Sequence, residues 1–562
     1  MAQLTANLRK IKILIEEKED MSETINAPRL HSQPELFRPS LDYPQHLYDE
    51  ILTRTTQRFP ENTAVIFKDV RLTYREMESL TNSLANALLD LGIGKGQKVC
   101  LFMTNRPEFI IGWNAIARVG AVVSPMNPSY KEREVAYQLT NSEAVAILVQ
   151  NELLPLVQAV RSESAGLKHV ITVGPGQPED ATGTISFREL VQSHSSNPPP
   201  RPDIGWDDLV ALPYSSGTTG LPKGVMLSQK NLVCNTYQFA ATTRMKYDDR
   251  VMLFLPFYHI YGTMLMGGTV MGGATSVIME RFDPVESLRL VQAEKITLFY
   301  AVPPVLVMLT NWPQLKDYNL TTIRHVMCGA APLAPEVGRR FEQLTGVQVV
   351  QGYGLTEAAP LTHLNPVYDS RLVKPETVGL PIHDTLQKVV DIETGETELG
   401  PGETGEIILT GPQVMQGYWK APEATAATLR NGWLYTGDIG SIDEEGYVTI
   451  TDRKKEMIKY KAFGIAPAEL EALLFEHPGV ADAAVIPKPD EEAGEVPKAF
   501  VVLKSGHENL TAPDLLAWAN GKLAGYKTIR EVEFIAAIPK TASGKILRRV
   551  LKEQERQKMG LA

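Results

Sequence analysis

Ser215-Ser216-Gly217-Thr218-Thr219-Gly220-Leu221-Pro222-Lys223-Gly224 is the stretch on which the reading of this chain turns. It holds four hydroxyl residues, three glycines and one lysine. Hydroxyls and free backbone N–H groups receive anions, and glycine lets the backbone come close to them. Val210-Ala211-Leu212 precedes the stretch and Val225-Met226-Leu227 follows it, so the pattern predicts a loop between two strands. Such a loop suits the phosphates of a nucleotide, with Ser215, Ser216, Gly217, Thr218, Thr219, Gly220 and Lys223 as candidate contacts. It is not the common P-loop, in which Gly-Lys-Ser/Thr opens a helix. Here Gly224 and Val225 follow Lys223. A plain polar surface loop is the alternative reading of the same residues.

Outward from that loop, 562 residues imply more than one core. A hydrophobic share of 43% and a charged share of 22% are those of an ordinary globular protein. The net charge of -10 speaks against nucleic acid as a partner. Cys100, Cys234 and Cys328 show neither disulfide nor metal spacing, which suits a reducing, cytoplasmic setting. No apolar run reaches the ~18–20 residues of a membrane span. Leu4, Leu8, Ile11 and Ile15 fall at helical spacing, and Met21 opens a more conventional start, so residues 1–43 are read as an N-terminal extension.

Apolar runs at Val99–Met103, Val122, Ala146–Val149, Val251–Leu255, Thr275–Met279, Leu298–Ala301, His325–Cys328 and Val347–Val350 read as strands. Amphipathic segments such as Pro284–Glu294 and Pro335–Leu344 lie between them. Repeated βα alternation predicts parallel sheets covered by helices. Ser193–Asp203, with Pro198-Pro199-Pro200, reads as a surface linker. After Thr377 short strands and turns dominate, as in Gly405–Thr410 and Tyr447–Ile450. A last unit follows Asp452, with helices at Pro467–Glu476 and Ala512–Leu523 and strands at Ala481–Pro487, Lys498–Leu503 and Glu531–Ile535. The expected fold is α/β: a large domain, residues 44–452, of two βα-type subdomains plus a β-rich subdomain, and a small mobile α+β domain, residues 453–562.

Five further motifs follow in order. They are Pro256-Phe257-Tyr258-His259-Ile260-Tyr261-Gly262, Gly329-Ala330-Ala331-Pro332-Leu333, Gln351-Gly352-Tyr353-Gly354-Leu355-Thr356-Glu357, Tyr435-Thr436-Gly437-Asp438 and Pro539-Lys540-Thr541-Ala542-Ser543-Gly544-Lys545. With the first loop they resemble the adenylate-forming superfamily of acyl-CoA synthetases, 4-coumarate–CoA ligases, luciferases and peptide-synthetase adenylation domains. The resemblance runs from about Pro44 to Arg549. It implies an acid–thiol ligase using ATP, Mg²⁺ and CoA: a carboxylate attacks the α-phosphorus of ATP, and a thiol then displaces AMP. It implies Thr218, Thr219 and Lys223 at the outer phosphates, Thr356 at the α-phosphate and Glu357 on the metal. Tyr353 and Gly329–Ala331, beside Gly352 and Gly354, would frame adenine, with Asp438 and Arg453 at the ribose. Lys545 would stabilise the activation step, and Lys455 takes the hinge position. In a second pose the segment from Lys459 to Pro467 would meet CoA, so Lys459, Lys461, Ala462 and Phe463 are candidates there. Relatives commonly read Lys-Tyr-Lys-Gly-Phe-Gln/Glu where this chain has Lys459-Tyr460-Lys461-Ala462-Phe463-Gly464, which puts the thiol step in question.

Tyr237, His259, Ile260, Tyr261, Met264, Val302, Ala330 and Leu361 are the expected acyl-pocket residues; His259 is also a candidate catalytic gate that moves on carboxylate or CoA binding, and packing in the core is its other reading. No aspartate lies between Phe257 and Gly268 to pair with a substrate ammonium. An uncharged acid is expected: a medium- or long-chain fatty acid, with an aryl acid of the coumarate or benzoate kind as the alternative. No carrier domain follows Lys545, which argues against a peptide synthetase, and the ending Met559-Gly560-Leu561-Ala562 lacks Ser-Lys-Leu, which argues against a luciferase. A non-catalytic nucleotide-binding protein is the remaining class. The expected partners are the small acid, ATP and CoA, in a monomer or homodimer.

Overall fold

The computed structural model describes residues 40–559 apart from 177, 179–181, 216–221, 462, 491–492 and 542–543. The helix expected around Leu8 and the start at Met21 lie outside the described residues.

Two large sheets carry the first part of the chain. In one, Thr63–Phe67, Thr275–Ile278, Arg250–Leu253, Leu298–Ala301, His325–Cys328 and Val349–Gly354 run parallel in that order. Their residues are almost all buried. A sheet covered on both faces selects such continuous apolar runs over alternation. Antiparallel strands Val70–Thr73 and Leu361–Leu364 flank this core. In the other sheet, Val122–Pro125, Lys98–Phe102, Ala144–Gln150 and His169–Val173 run parallel. Its other side turns antiparallel through Leu209–Ala211, Lys223–Ser228 and Gly417–Tyr418. Helices Gln229–Thr243 and Ile260–Gly272 pack on each other, and one apolar core joins both sheets.

The third sheet is antiparallel and joins Leu386–Val390, Gly405–Thr410, Trp433–Ile442 and Val448–Arg453. The fourth belongs to the small C-terminal domain. Its long pair Val480–Asp490 and Gly494–Leu503 carries Glu531–Phe534 in parallel, under helices Pro467–Phe475 and Ala512–Asn520. Prolines stand in the first turn of the helices at Pro284, Pro303, Pro335 and Pro467. Their missing N–H is harmless there, and their fixed φ suits a helix start.

Ser193–Asp203, expected as a surface linker, is a connection between two elements. It connects helix Phe187–Ser193 to strand Leu209–Ala211 beside the same sheet, and it is tied down. Asn86 Nδ2 donates to the carbonyls of Ser195 and Asn197, and Arg201 pairs with the buried Asp49 at 2.7 Å. The polyproline run is therefore a clamped surface connection. Ahead of Pro44, Leu41 N and Tyr43 Oη donate to Asp384 Oδ2 at 3.1 and 2.5 Å. Among the described residues no helix is long and apolar enough to cross a membrane.

Candidate active site

The arms of the glycine–hydroxyl loop form an antiparallel pair, with Lys223 opposite Ser215 and Gly224 opposite Tyr214. The tip, with Ser216, Gly217, Thr218, Thr219 and Gly220, lies outside the described residues. Beside the arms, Tyr418 enters from the strand paired to Val225 and Met226. Lys223 Nζ lies 5.3 Å from the centre of its ring, a cation–π contact. Tyr418 Oη donates to Glu357 Oε1 at 2.7 Å, and Ser215 Oγ donates to the same oxygen at 3.4 Å. Burial, and then the Glu357 charge, push the Tyr418 hydroxyl pKa up, so it stays protonated and donating.

Glu357 is placed by the strand Val349–Gly354 and the short turn Thr356–Ala358 that Thr356 opens. A Cβ at Gly354 would stand 2.3 Å from the Pro360 carbonyl oxygen, so the close approach demands glycine. The Glu357 carbonyl accepts from Met415 N at 2.8 Å, which anchors the turn from the far side.

The third sheet supplies a buried carboxylate. Asp438, with a side chain only 3% exposed, accepts from Arg453 Nε at 2.8 Å. The two residues face each other across neighbouring strands. Tyr353 Oη donates to the other carboxylate oxygen, Asp438 Oδ2, at 2.5 Å. Burial and Asp438 raise the Tyr353 pKa. Asp438 raises the Arg453 pKa and holds the guanidinium charged. Glu406 braces this corner by accepting from Gly437 N at 3.0 Å and Lys454 Nζ at 2.8 Å. Gly329 is buried against Tyr261, while Ala330 is exposed and Ala331 half-buried at the strand end.

Lys545 sits on a tight hairpin. Thr541 N donates to the Lys545 carbonyl at 2.8 Å, and Lys545 N donates to Thr541 Oγ1 at 3.0 Å. Its ammonium is half-buried and forms no ion pair among the described residues. Burial and then Arg453 lower its pKa, against the opposing pull of Glu456, Asp438 and Glu357. The lysine therefore feels the two carboxylates of the site and its arginine. His259 feels Lys545 in turn: burial first and then that ammonium bring its pKa down to about 4. His259 also caps helix Ile260–Gly272, its Nδ1 accepting from Tyr261 N at 3.3 Å. A neutral imidazole is what that cap requires.

Of the expected pocket residues, Ile260, Tyr261, Met264, Val302 and Leu361 are buried and apolar or aromatic. Tyr237 Oη bonds His46 Nε2 at 2.8 Å, in the segment that leads into helix Glu50–Arg58. Lys455, Lys459 and Lys461 are exposed. Lys455 lies in the turn after Arg453, and Lys459 N donates to Glu495 at 2.8 Å. Ala462 and the Phe463 side chain lie outside the described residues. A Cβ at Gly464 would meet Met457 Cε at 2.8 Å, so the departure there leaves room for that methionine.

Three contributors escaped the sequence reading. Tyr418 and Glu406 act through cross-strand neighbours; the only sequence signal was the aromatic pair Tyr418-Trp419 after Gly417. Arg548, a neighbour of Arg549 in sequence, is nearly buried between Glu456 and Glu471.

Among the described residues no three His, Cys, Asp or Glu converge as a metal cage. One carboxylate, Glu357, beside an anion loop suits a magnesium ion that takes its other oxygens from phosphate and water.

The profile of the AMP-binding enzyme family matches residues 52–419, and that of the AMP-binding enzyme C-terminal domain matches residues 469–545. A long-chain-fatty-acid–CoA ligase of Bacillus subtilis (strain 168) is 37% identical over 94% of this chain and 98% of its own. A 4-coumarate–CoA ligase of Vanilla planifolia is 38% identical over 86% of this chain and 88% of its own. Among solved structures, the anthranilate CoA ligase AuaEII with anthranoyl-AMP superposes at a TM-score of 0.84, 26% identical, over 92% and 98% of the two chains. ATP-bound MatB from Rhodopseudomonas palustris superposes at 0.83, 30% identical, over 91% and 99%. A buried carboxylate paired to an arginine, and a lysine on a hairpin that feels both, agree with these likenesses, and the chain belongs to the AMP-binding enzyme family as an adenylate-forming acid–thiol ligase.

Proposed function

We propose that this protein is an AMP-forming acyl-CoA synthetase for a medium- or long-chain fatty acid. The observation that carries the choice of acid is the buried uncharged set Ile260, Met264, Val302 and Leu361, the first two on the His259-capped helix. Such a lining favours an apolar tail, and methionine adapts to its shape. The likeness to the Bacillus subtilis ligase over nearly the whole chain supports the same reading.

In this reading the acid's carboxylate oxygen bonds the α-phosphorus of ATP and pyrophosphate leaves. Two anions must meet, so positive charge offsets their repulsion. Lys223, with Thr218 and Thr219, holds the outer phosphates. Thr356 bonds the α-phosphate, and Glu357 holds Mg²⁺, which supplies charge to the phosphates. Asp438 and Arg453 take the ribose, and Tyr353 with Gly329, Ala330 and Ala331 takes adenine. Lys545 carries its charge to the forming acyl–phosphate bond. Its lowered pKa reflects an ammonium with little water around it, where its field acts most strongly. In the second step the CoA sulfur bonds the acyl carbon, its proton goes to solvent, and AMP leaves. Residues 453–562 would turn about Lys455 to bring Lys459, Lys461, Ala462 and Phe463 to the site. The large domain would span residues 44–452, in a cytoplasmic monomer or homodimer.

The 4-coumarate–CoA ligases, several of them 38–39% identical, favour an aryl acid as the second reading. Purified protein with ATP, Mg²⁺ and CoA, given dodecanoate or 4-coumarate, separates the two. Dodecanoyl-CoA with AMP and pyrophosphate is the expected product. Coumaroyl-CoA alone would overturn the fatty-acid reading, and adenylate without thioester would place the defect at Ala462.

A further inference from the structure

We propose that Gly544 and Pro304 form a steric seat that fixes how far Lys545 enters the site, so that this pair positions the lysine for acid activation only. The proposal builds on the two-step reading above. It begins from the hairpin that bears Lys545. Gly544 N donates to the Thr541 carbonyl and Leu547 N to the Pro539 carbonyl, both at 2.8 Å. With the two Thr541–Lys545 bonds, Gly544 and Lys545 are both tied to Thr541. Gly544 faces the large domain. A Cβ built on it would stand 2.6 Å from Pro304 Cγ and 2.7 Å from Pro304 Cδ. Pro304 lies in the first turn of helix Pro303–Thr310, directly after the expected pocket residue Val302. Its ring is fixed to the backbone and has no rotamer by which to retreat. The small domain therefore lands, at Gly544, on a rigid part of the large domain, and the next residue is Lys545.

The φ of +82° at Gly544 is a separate demand for glycine. That strain belongs to the hairpin and is the same wherever the small domain sits. The clash with Pro304 exists only when the hairpin is docked. The two demands can thus be separated.

In Gly544→Ala the loop must back away by about 1 Å, and a displacement of that size lowers a positioned reaction about 100-fold. ATP–pyrophosphate exchange with dodecanoate should fall by that factor, while CoA consumption of supplied dodecanoyl-adenylate stays within about threefold. Adding Pro304→Ala removes Cγ and Cδ and should restore exchange about tenfold, a coupling usual for residues in contact. The titration of His259 by histidine NMR reads the same seat without turnover. Its midpoint should rise in Gly544→Ala as Lys545 withdraws, and fall back in the double variant. Equal loss of both half-reactions, or a double variant no better than Gly544→Ala in exchange and in the His259 midpoint, would overturn the seat and leave backbone strain as the cause. Wild-type protein that activates no acid would overturn the proposed function, and the His259 titration would still judge the seat.

Discussion

Arg548→Met should destabilise the small domain strongly at neutral pH and only weakly in acid. Arg548 opens the last helix, and its side chain is 12% exposed, between Glu456 and Glu471 at 10% and 9%. Its Nη2 donates to both Glu471 oxygens at 2.7 and 2.6 Å, and its Nε donates to the Val485 carbonyl at 3.1 Å. Burial raises the Glu471 pKa, and Arg548 is the largest influence opposing that rise. Methionine keeps the volume and removes the charge. Leaving one member of a buried pair unmatched costs about 3–5 kcal/mol. The loss also has a ceiling, because a carboxylate can escape by taking a proton. Relative to an ordinary glutamate near 4.3, that proton costs about 1.4 kcal/mol per pH unit, or about 3.7 kcal/mol at pH 7 and about 1 kcal/mol at pH 5. The sign follows from linkage: Glu471 in the variant has a folded pKa above its unfolded one. Its contribution is complete below the unfolded pKa and is lost as pH rises through the folded one. Hydrogen exchange of peptides over Gly494–Leu503, corrected for intrinsic rates, should therefore show a loss of about 3–4 kcal/mol at pH 7 shrinking to about 1 kcal/mol at pH 5. Arg548→Met with Glu471→Gln should recover much of it. A loss independent of pH, or under about 1 kcal/mol at pH 7, would refute the ionic account and leave Arg548 as a packing residue.

Three further outcomes follow from the site. Lys545→Ala should lower pyrophosphate exchange by about two to four orders of magnitude while sparing thioester formation from supplied acyl-adenylate, measured by mass spectrometry. His259, with its pKa down at about 4, should stay neutral through the working range. Its folded pKa lies below the unfolded one near 6.5, so its share of stability is present above about 6.5 and is lost as pH falls toward about 4, a slope that His259→Gln should remove from pH-dependent melts. Asp438→Asn leaves Arg453 without its charge partner, and should raise the KM for ATP about 10- to 100-fold while affecting 2′-deoxy-ATP less, as steady-state kinetics with the two nucleotides would show.

Much of this molecule could be read without coordinates because its strands are apolar on both faces. Leu298–Ala301 and His325–Cys328 emerged at their expected bounds for that reason. Lys223, Glu357, Asp438 and Lys545 stood out through six motifs in a fixed order and not through any one of them alone. Elsewhere local pattern carried no signal. Tyr418 meets Glu357 only because its strand pairs with Val225, which lies far away in sequence. Glu406 looked like any strand glutamate until the facing strand brought Gly437 and Lys454 to it. Arg548 and Arg549 are neighbours in sequence, yet one is enclosed by two carboxylates and the other is an exposed partner of Glu553. Pro198-Pro199-Pro200 had the composition of a linker, and Asn86 and Asp49 show that composition does not say what holds a segment in place.

Strand Thr63–Phe67 pairs in parallel with Thr275–Ile278, about 210 residues later. During synthesis this early hairpin has no sheet to join until that later strand leaves the ribosome. At ~5–20 residues per second the delay is about 10–40 s. Through that interval Val65, Ile66 and Phe67, all buried in the finished protein, remain without their parallel neighbour. The nascent chain thus carries an unpaired apolar edge, a natural client for holding chaperones and the place where rapid overexpression would first lead to aggregation.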